Sequence, residues 1–61
     1  MDMRYTDRDL REIADGIILQ CREEYPDVPL DETVSDMCEA VIYAEGFKGR
    51  DADKLREFCG L

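Results

Sequence analysis

The chain has 61 residues, of which 44% are apolar and 39% are charged, and its formal net charge is −8. A chain of this length is expected to form one small domain, residues 1–61. Folding at this size removes only about 60% of the surface that the unfolded chain exposes, so the core is small. The large negative charge repels nucleic-acid phosphates and anionic lipids. We therefore expect no direct nucleic-acid or membrane partner, and a partner chosen by electrostatics should present a basic protein surface.

The sequence contains no histidine, and its cysteines, Cys21, Cys38 and Cys59, show no CxxC spacing. We therefore predict no metal site, no cofactor and no enzymatic activity, since neither a two-histidine metal site nor a Ser–His or Cys–His pair can be assembled. Unpaired cysteines are typical of a reducing compartment. The first nine residues also lack the apolar segment of a signal peptide. We expect a cytoplasmic protein whose three thiols are buried as small apolar groups.

The first predicted helix covers about residues 7–24. Thr6 and Asp9 match a capping box in which Asp replaces the usual Glu, and Pro26 ends the helix. Asp7 and Arg11 have the (i, i+4) spacing of an intrahelical ion pair. One face repeats apolar residues at helical spacing and should contact the core. This face comprises Leu10, Ile13, Ala14, Ile17, Ile18, Cys21 and Tyr25.

The opposite face of this helix carries Glu12, Gly16, Leu19 and Glu23. A glycine inside a helix costs about 1 kcal/mol relative to alanine, and it allows another backbone to approach closely. Gly16 followed by an exposed Leu19 is compatible with a homodimer or partner contact. The alternative is that Leu19 is a single exposed leucine of the kind that many surfaces carry.

The second predicted helix covers about residues 31–45, with Asp31 as its N-cap, although Asp27 would allow an earlier start. Gly46 fits the left-handed position that ends a helix, and Phe47 should then contact Ile42, as in a Schellman motif. The inward face consists of Val34, Met37, Cys38, Val41 and Ile42.

The third predicted helix covers about residues 51–59, with Asp51 as its N-cap. Ala52, Leu55, Phe58 and Cys59 form its apolar side. The sequence shows neither the alternating pattern of a strand nor a hairpin turn. We therefore predict an all-α fold, a compact three-helix bundle.

The outer face of the second helix is the main candidate for function. Glu32, Asp36, Glu39 and Tyr43 lie on it, and no Lys or Arg occurs between Tyr25 and Phe47. The acids repeat at roughly 4.5–6 Å along the helix, which resembles the spacing of phosphates in a nucleic-acid strand. The face is therefore predicted to dock on a Lys/Arg-rich groove, with Tyr43 as an aromatic anchor. The alternative is an ordinary solvated helix face.

The segment EGFKGRDADKLREF resembles the Gly-Phe turn and following helix of ubiquitin-associated (UBA) domains. The resemblance covers about a quarter of the chain and is carried by Gly46, Phe47, Asp51, Ala52 and Leu55. Glu45 stands where that family customarily has Met. The resemblance implies a ubiquitin-type adaptor that functions through Gly46 and Phe47.

The sequence as a whole favours a small acidic protein-binding module. We expect it to dock on, or inhibit, a basic nucleic-acid-binding protein as a nucleic-acid mimic. In size and charge it resembles phage-encoded inhibitors of bacterial defence. The predicted partner-binding residues are Glu32, Asp36, Glu39 and Tyr43, extended by Glu12, Leu19 and Glu23. The alternatives are a structural homodimer and the ubiquitin-associated-like adaptor.

Overall fold

The computed structural model describes residues 5–61. It contains helices α1 (Asp7–Glu24), α2 (Leu30–Glu45) and α3 (Arg50–Phe58), and each helix packs against the other two. No strand occurs among these residues. The prediction of an all-α three-helix bundle is confirmed, and each predicted helix boundary lies within one residue of the observed one.

Helix α1 begins as its capping box predicts. The Asp9 backbone N–H donates to Thr6 Oγ1 and the Thr6 N–H donates to Asp9 Oδ2, both at 3.1 Å. The predicted Asp7–Arg11 pair is wrong. Asp7 instead accepts a hydrogen bond from Arg50 at the start of α3, because tertiary packing brings the two helix starts together.

Arg11 lies over the ring of Phe58, with its guanidinium carbon 4.9 Å from the ring centroid. A cation over an aromatic face is favoured by the ring quadrupole. Lys54 approaches the same ring, at 5.9 Å. Both cations are thus drawn to the contact between α1 and α3.

Helix α2 begins one residue earlier than predicted, and the Asp31 cap is wrong. Pro29 is the N-cap residue and no side chain caps the helix. Asp31 already lies in the first helical turn, where its carboxylate favours the positive end of the helix dipole but does not occupy a capping position. The N–H groups of Glu32 and Thr33 donate to the carbonyl of Pro29, so the backbone of the turn starts the helix.

The end of α2 is confirmed as predicted. Gly46 is left-handed, with φ 74°, and its N–H donates to the carbonyl of Ile42. The Phe47 N–H donates to the same carbonyl at 3.0 Å, which is the six-to-one bond of a Schellman motif. Phe47 is only 7% exposed and packs edge-to-face on Tyr5, with ring centroids 4.6 Å apart. This contact holds the end of α2 against the start of α1.

Helix α3 begins at Arg50, and the predicted Asp51 cap is wrong. Gly49 is the N-cap residue, with φ 56°, and it has no side chain to cap with. That backbone conformation suits glycine and turns the chain into the helix before Asp51 is reached. The Asp53 N–H donates to the carbonyl of Gly49 at 3.1 Å.

The core lies where the three helices meet, and no polar or charged side chain is buried among the described residues. All three cysteines are free and buried, as predicted. The core consists of Leu10, Ala14, Ile17, Cys21, Val34, Cys38, Ile42, Phe47, Ala52, Leu55 and Cys59.

Candidate protein-binding surface

The outer face of α2 is exposed along its length. Glu32, Asp36, Glu39 and Tyr43 are all solvent-accessible, and Tyr43 is 92% exposed. Their exposure to solvent is therefore as the helical pattern predicts. Their charge environments, however, differ from one end of the helix to the other.

Glu39 is neutralised by a residue that is distant in sequence. Arg56 of α3 donates from Nε to Glu39 Oε2 at 2.6 Å and from Nη2 to Glu39 Oε1 at 3.1 Å. This two-point hydrogen bond lowers the pKa of Glu39 and raises the pKa of Arg56. No Lys or Arg lies close to Glu39 in the sequence, but the packing of α3 on α2 brings Arg56 to it.

The other two acids of the face, Glu32 and Asp36, have no such partner among residues 5–61. Every ion pair in this part of the structure involves Arg50 or Arg56 of α3. Asp31, at the start of α2, is likewise exposed and outside those pairs. Negative charge is therefore concentrated on the first two turns of α2.

An open depression adjoins these unpaired acids. Its volume is about 730 Å³. We call it the acidic groove, and it is lined by Val28, Asp31, Glu32, Thr33, Ser35, Asp36, Gly60 and Leu61. Among residues 5–61, three carboxylates and no basic side chain line it. Its apolar residues are accessible, since Val28 is 42% and Leu61 50% exposed.

The acidic groove has smaller depressions on both sides. One, of about 410 Å³, shares Thr33 and Asp36 with it and extends to Tyr25. The other, of about 400 Å³, shares Asp31, Gly60 and Leu61 with it and extends to Ile18 and Arg22 of α1. The concave surface of the described structure therefore continues around the beginning of α2.

Val28 and Leu61 line the acidic groove but are not among the partner-binding residues that the sequence predicts. Val28 lies between two prolines in a short turn, and Leu61 follows Gly60 after the last helix. An apolar residue isolated in a polar turn is the only local signal at Val28. The approach of Leu61 to α2 depends on how α3 packs, and no sequence pattern indicates it.

The predicted extension of the surface onto α1 lies elsewhere. Glu12, Leu19 and Glu23 are exposed on the side of α1 that points away from its buried residues. None of them lines the acidic groove or the two adjacent depressions. The structure therefore does not bring them together with Glu32 and Asp36.

The thiols lie inside the bundle rather than at this surface. Burial raises the pKa of Cys59 to about 12, and the neighbouring Cys38 adds to the increase. Burial also raises the pKa of Cys38. Within residues 5–61 no cluster of His, Cys, Asp or Glu has an arrangement that could hold a metal ion.

Comparison of the chain with protein-family models, curated protein sequences and solved structures gives no match. The resemblance of Gly46 and Phe47 to the turn of ubiquitin-associated domains is thus not accompanied by a family match. In the described part of the chain, no helix combines the length and apolarity that a membrane crossing requires.

Proposed function

We propose that this protein is a non-catalytic binding module that docks on a basic surface of another protein through the first half of α2. The observation that carries the proposal is the uneven neutralisation of α2. Glu39 is held by Arg56, whereas Asp31, Glu32 and Asp36 have no ion-pair partner among residues 5–61.

Like charges on neighbouring helix turns repel one another. Glu32 and Asp36 are spaced (i, i+4), which destabilises a helix by a few tenths of a kcal/mol. The fold contains arginines that neutralise carboxylates elsewhere, at Asp7 and Glu39. A partner that brings Lys or Arg to Glu32 and Asp36 would relieve this repulsion and gain charge-assisted hydrogen bonds.

The same charges favour rapid encounter with a basic partner. The net charge is −8, and concentrated charge of one sign steers an oppositely charged molecule during diffusion. Tyr43 lies on the same outer face, about 10 Å along the helix from Asp36 by the helical rise. It is available as an aromatic contact at the edge of the docked surface, and a nucleic-acid-binding partner covered in this way would lose access to its nucleic acid.

The test is affinity capture from a cell lysate at low and high salt, with three forms of the protein. The first is wild type, and the second is Glu32→Lys/Asp36→Lys. The third, Glu45→Lys/Glu57→Lys, changes the charge equally at exposed acids outside the described ion pairs. Circular dichroism melting verifies that all three are folded.

We expect wild type and the Glu45/Glu57 variant to retain a basic protein at low salt and release it at high salt. The Glu32/Asp36 variant should not retain it. A duplex DNA oligonucleotide should compete if the captured protein binds nucleic acid. Equal retention by all three forms, or loss by both variants, would show that the first half of α2 is not the docking surface.

A homodimer is the second candidate, and one observation favours it. A Cβ atom added at Gly16 would have no neighbour within 4 Å, so the isolated fold does not require glycine there. Leu19, one turn further, is 57% exposed. A dimer through this face predicts a melting temperature that rises with protein concentration and a loss of that dependence in Leu19→Glu. A monomer predicts instead that Gly16→Ala stabilises the fold by about 1 kcal/mol.

A further inference from the structure

We propose that the acidic groove receives a basic amphipathic α-helix of the partner protein, with an apolar side chain of that helix seated between Val28 and Leu61. This inference rests on the proposed function and specifies the chemistry of the partner. It is carried by the groove that exposed apolar side chains and unpaired carboxylates form together, rather than by the acids alone.

The apolar part of the groove is accessible and comes from two separate segments. Val28 belongs to the turn between α1 and α2, and Leu61 follows the end of α3. Both are about half exposed, although the rest of the bundle buries its core residues almost completely. A partner that covers these two side chains removes their apolar surface from water, and the core stays closed. The burial of apolar surface is the main favourable free-energy term in most protein–protein association.

The acidic groove requires positive charge in its occupant as well as an apolar side chain. Asp31, Glu32 and Asp36 line it together with Val28 and Leu61, and no Lys or Arg in the described part of the chain does so. An uncharged apolar segment placed there would desolvate carboxylates without pairing them, and this costs free energy. A segment with Lys or Arg beside its apolar residue satisfies both parts of the groove.

The fold also restricts the conformation of the occupant. All regular elements between residues 5 and 61 are helices, so the described structure offers no sheet edge to which an extended peptide could add as a strand. A polyproline-II segment needs an aromatic-lined groove and a phosphorylated segment needs an arginine cluster, and the described lining of the acidic groove contains neither. A helix that places its apolar face into the groove is the common mode that fits. Basic residues one turn before and after the apolar residue would then face the carboxylates of α2.

The test is an NMR titration of the ¹⁵N-labelled protein with two synthetic peptides of identical composition. Both contain only Leu, Lys, Ala and Gln. In the amphipathic peptide the leucines lie on one helical face with lysines at the neighbouring turns. In the scrambled peptide the same residues are distributed around the helix. Millimolar peptide makes weak binding measurable.

We expect the amphipathic peptide to shift the amide signals of Val28, Asp31, Asp36 and Leu61, and to bind at least about tenfold more tightly than the scrambled peptide. A tenfold gain needs only about 60 Å² of newly buried apolar surface. In Val28→Ser/Leu61→Ser, which changes exposed positions and no charge, the two peptides should bind equally. Glu32→Lys/Asp36→Lys should bind neither.

Other results separate this inference from the proposed function. If both peptides bind wild type equally and both require Glu32 and Asp36, docking on a basic surface stands and the helix-in-groove inference is wrong. If the amphipathic peptide causes no shifts, or keeps its advantage in Val28→Ser/Leu61→Ser, the groove is not its site. Salt-sensitive capture that depends on Glu32 and Asp36 decides the proposed function independently of either result.

Discussion

The two halves of α2 belong to one continuous helix but are held in different ways. After Cys38, the helix is fixed by the Glu39–Arg56 pair and by the Schellman motif that buries Phe47 against Tyr5. Before Cys38, it starts without a side-chain cap and presents acids that have no ion-pair partner in the described structure, beside exposed apolar residues. The contacts that stabilise α2 and the acids that lack an ion-pair partner among residues 5–61 therefore lie at opposite ends of the same helix.

The largest effect should come from removing the aromatic contact at the stabilised end. Phe47→Ala deletes a buried ring and is expected to cost about 3–5 kcal/mol. A domain of this size rarely has more than roughly 3–5 kcal/mol in total, so the variant should be largely unfolded at room temperature. Urea denaturation followed by circular dichroism measures this.

The matched change at the other end is Val28→Ala, which alters an exposed residue and should change the free energy of unfolding by no more than about 0.5 kcal/mol. Phe47→Leu keeps most of the buried volume, so its loss of unfolding free energy should lie between those of Phe47→Ala and Val28→Ala. Equal costs for Phe47→Ala and Val28→Ala would break the comparison between the halves of α2.

The next effect concerns the boundary between the halves, where Cys38 lies beside Cys59. The folded-state pKa of Cys59 is raised from 9.0 to about 12, so the fold favours the protonated thiol. That contribution is complete below the unfolded pKa and is lost as the pH rises from about 9 to about 12. The free energy of unfolding should therefore fall over this range, more steeply in wild type than in Cys59→Ala. Identical alkaline profiles would contradict the prediction.

A smaller effect is expected at the Glu39–Arg56 pair. Glu39→Gln keeps the size of the side chain but removes the charge, and it should lower the melting temperature by a few degrees at most, because the pair is exposed. The pKa of Glu39 is lowered by Arg56. The contribution is thus present above the ordinary glutamate range and disappears as the pH falls through the lowered pKa.

Thermal melts at neutral and acidic pH measure this contribution. Wild type and Glu39→Gln should differ at neutral pH and converge at low pH. A difference that persists unchanged in acid would show that the ion pair is not its cause.

The smallest effect should have the opposite sign. Asp36→Asn removes a charge from the unpaired half of α2 and relieves its repulsion with Glu32, since Asn and Asp have similar helix propensity. We expect a gain of roughly 0.2–0.5 kcal/mol at low salt that fades as salt is added. Denaturant titration at two salt concentrations measures it. A loss of stability would indicate that Asp36 has a cation partner in solution.

Features encoded by neighbouring residues could be predicted from the sequence. The Thr6–Asp9 capping box and the Gly46–Phe47 stop each depend on a few adjacent positions, and both are present in the structure. The same reasoning was wrong at Asp31 and Asp51, because a proline and a glycine start those helices through backbone conformation. These errors moved each boundary by one residue and left the fold unchanged.

The candidate site was less predictable because it depends on packing between distant segments. Glu39 and Arg56 are 17 residues apart, and Asp7 and Arg50 are 43 apart. Helical periodicity places each residue on a face but does not specify which face of another helix lies opposite. The exposure of Glu32 and Asp36 could therefore be predicted from the sequence. The ion pair between Glu39 and Arg56 and the approach of Leu61 to α2 could not.

The burial of all three native thiols has a practical consequence for labelling. A cysteine introduced at an exposed position such as Asp31→Cys or Ala44→Cys would be far more reactive toward maleimide dyes than the native ones at neutral pH. A fluorophore could then be attached at either end of α2 without first replacing Cys21, Cys38 or Cys59. The wild-type sequence can therefore be used directly as the parent for fluorescence labelling at each end of α2.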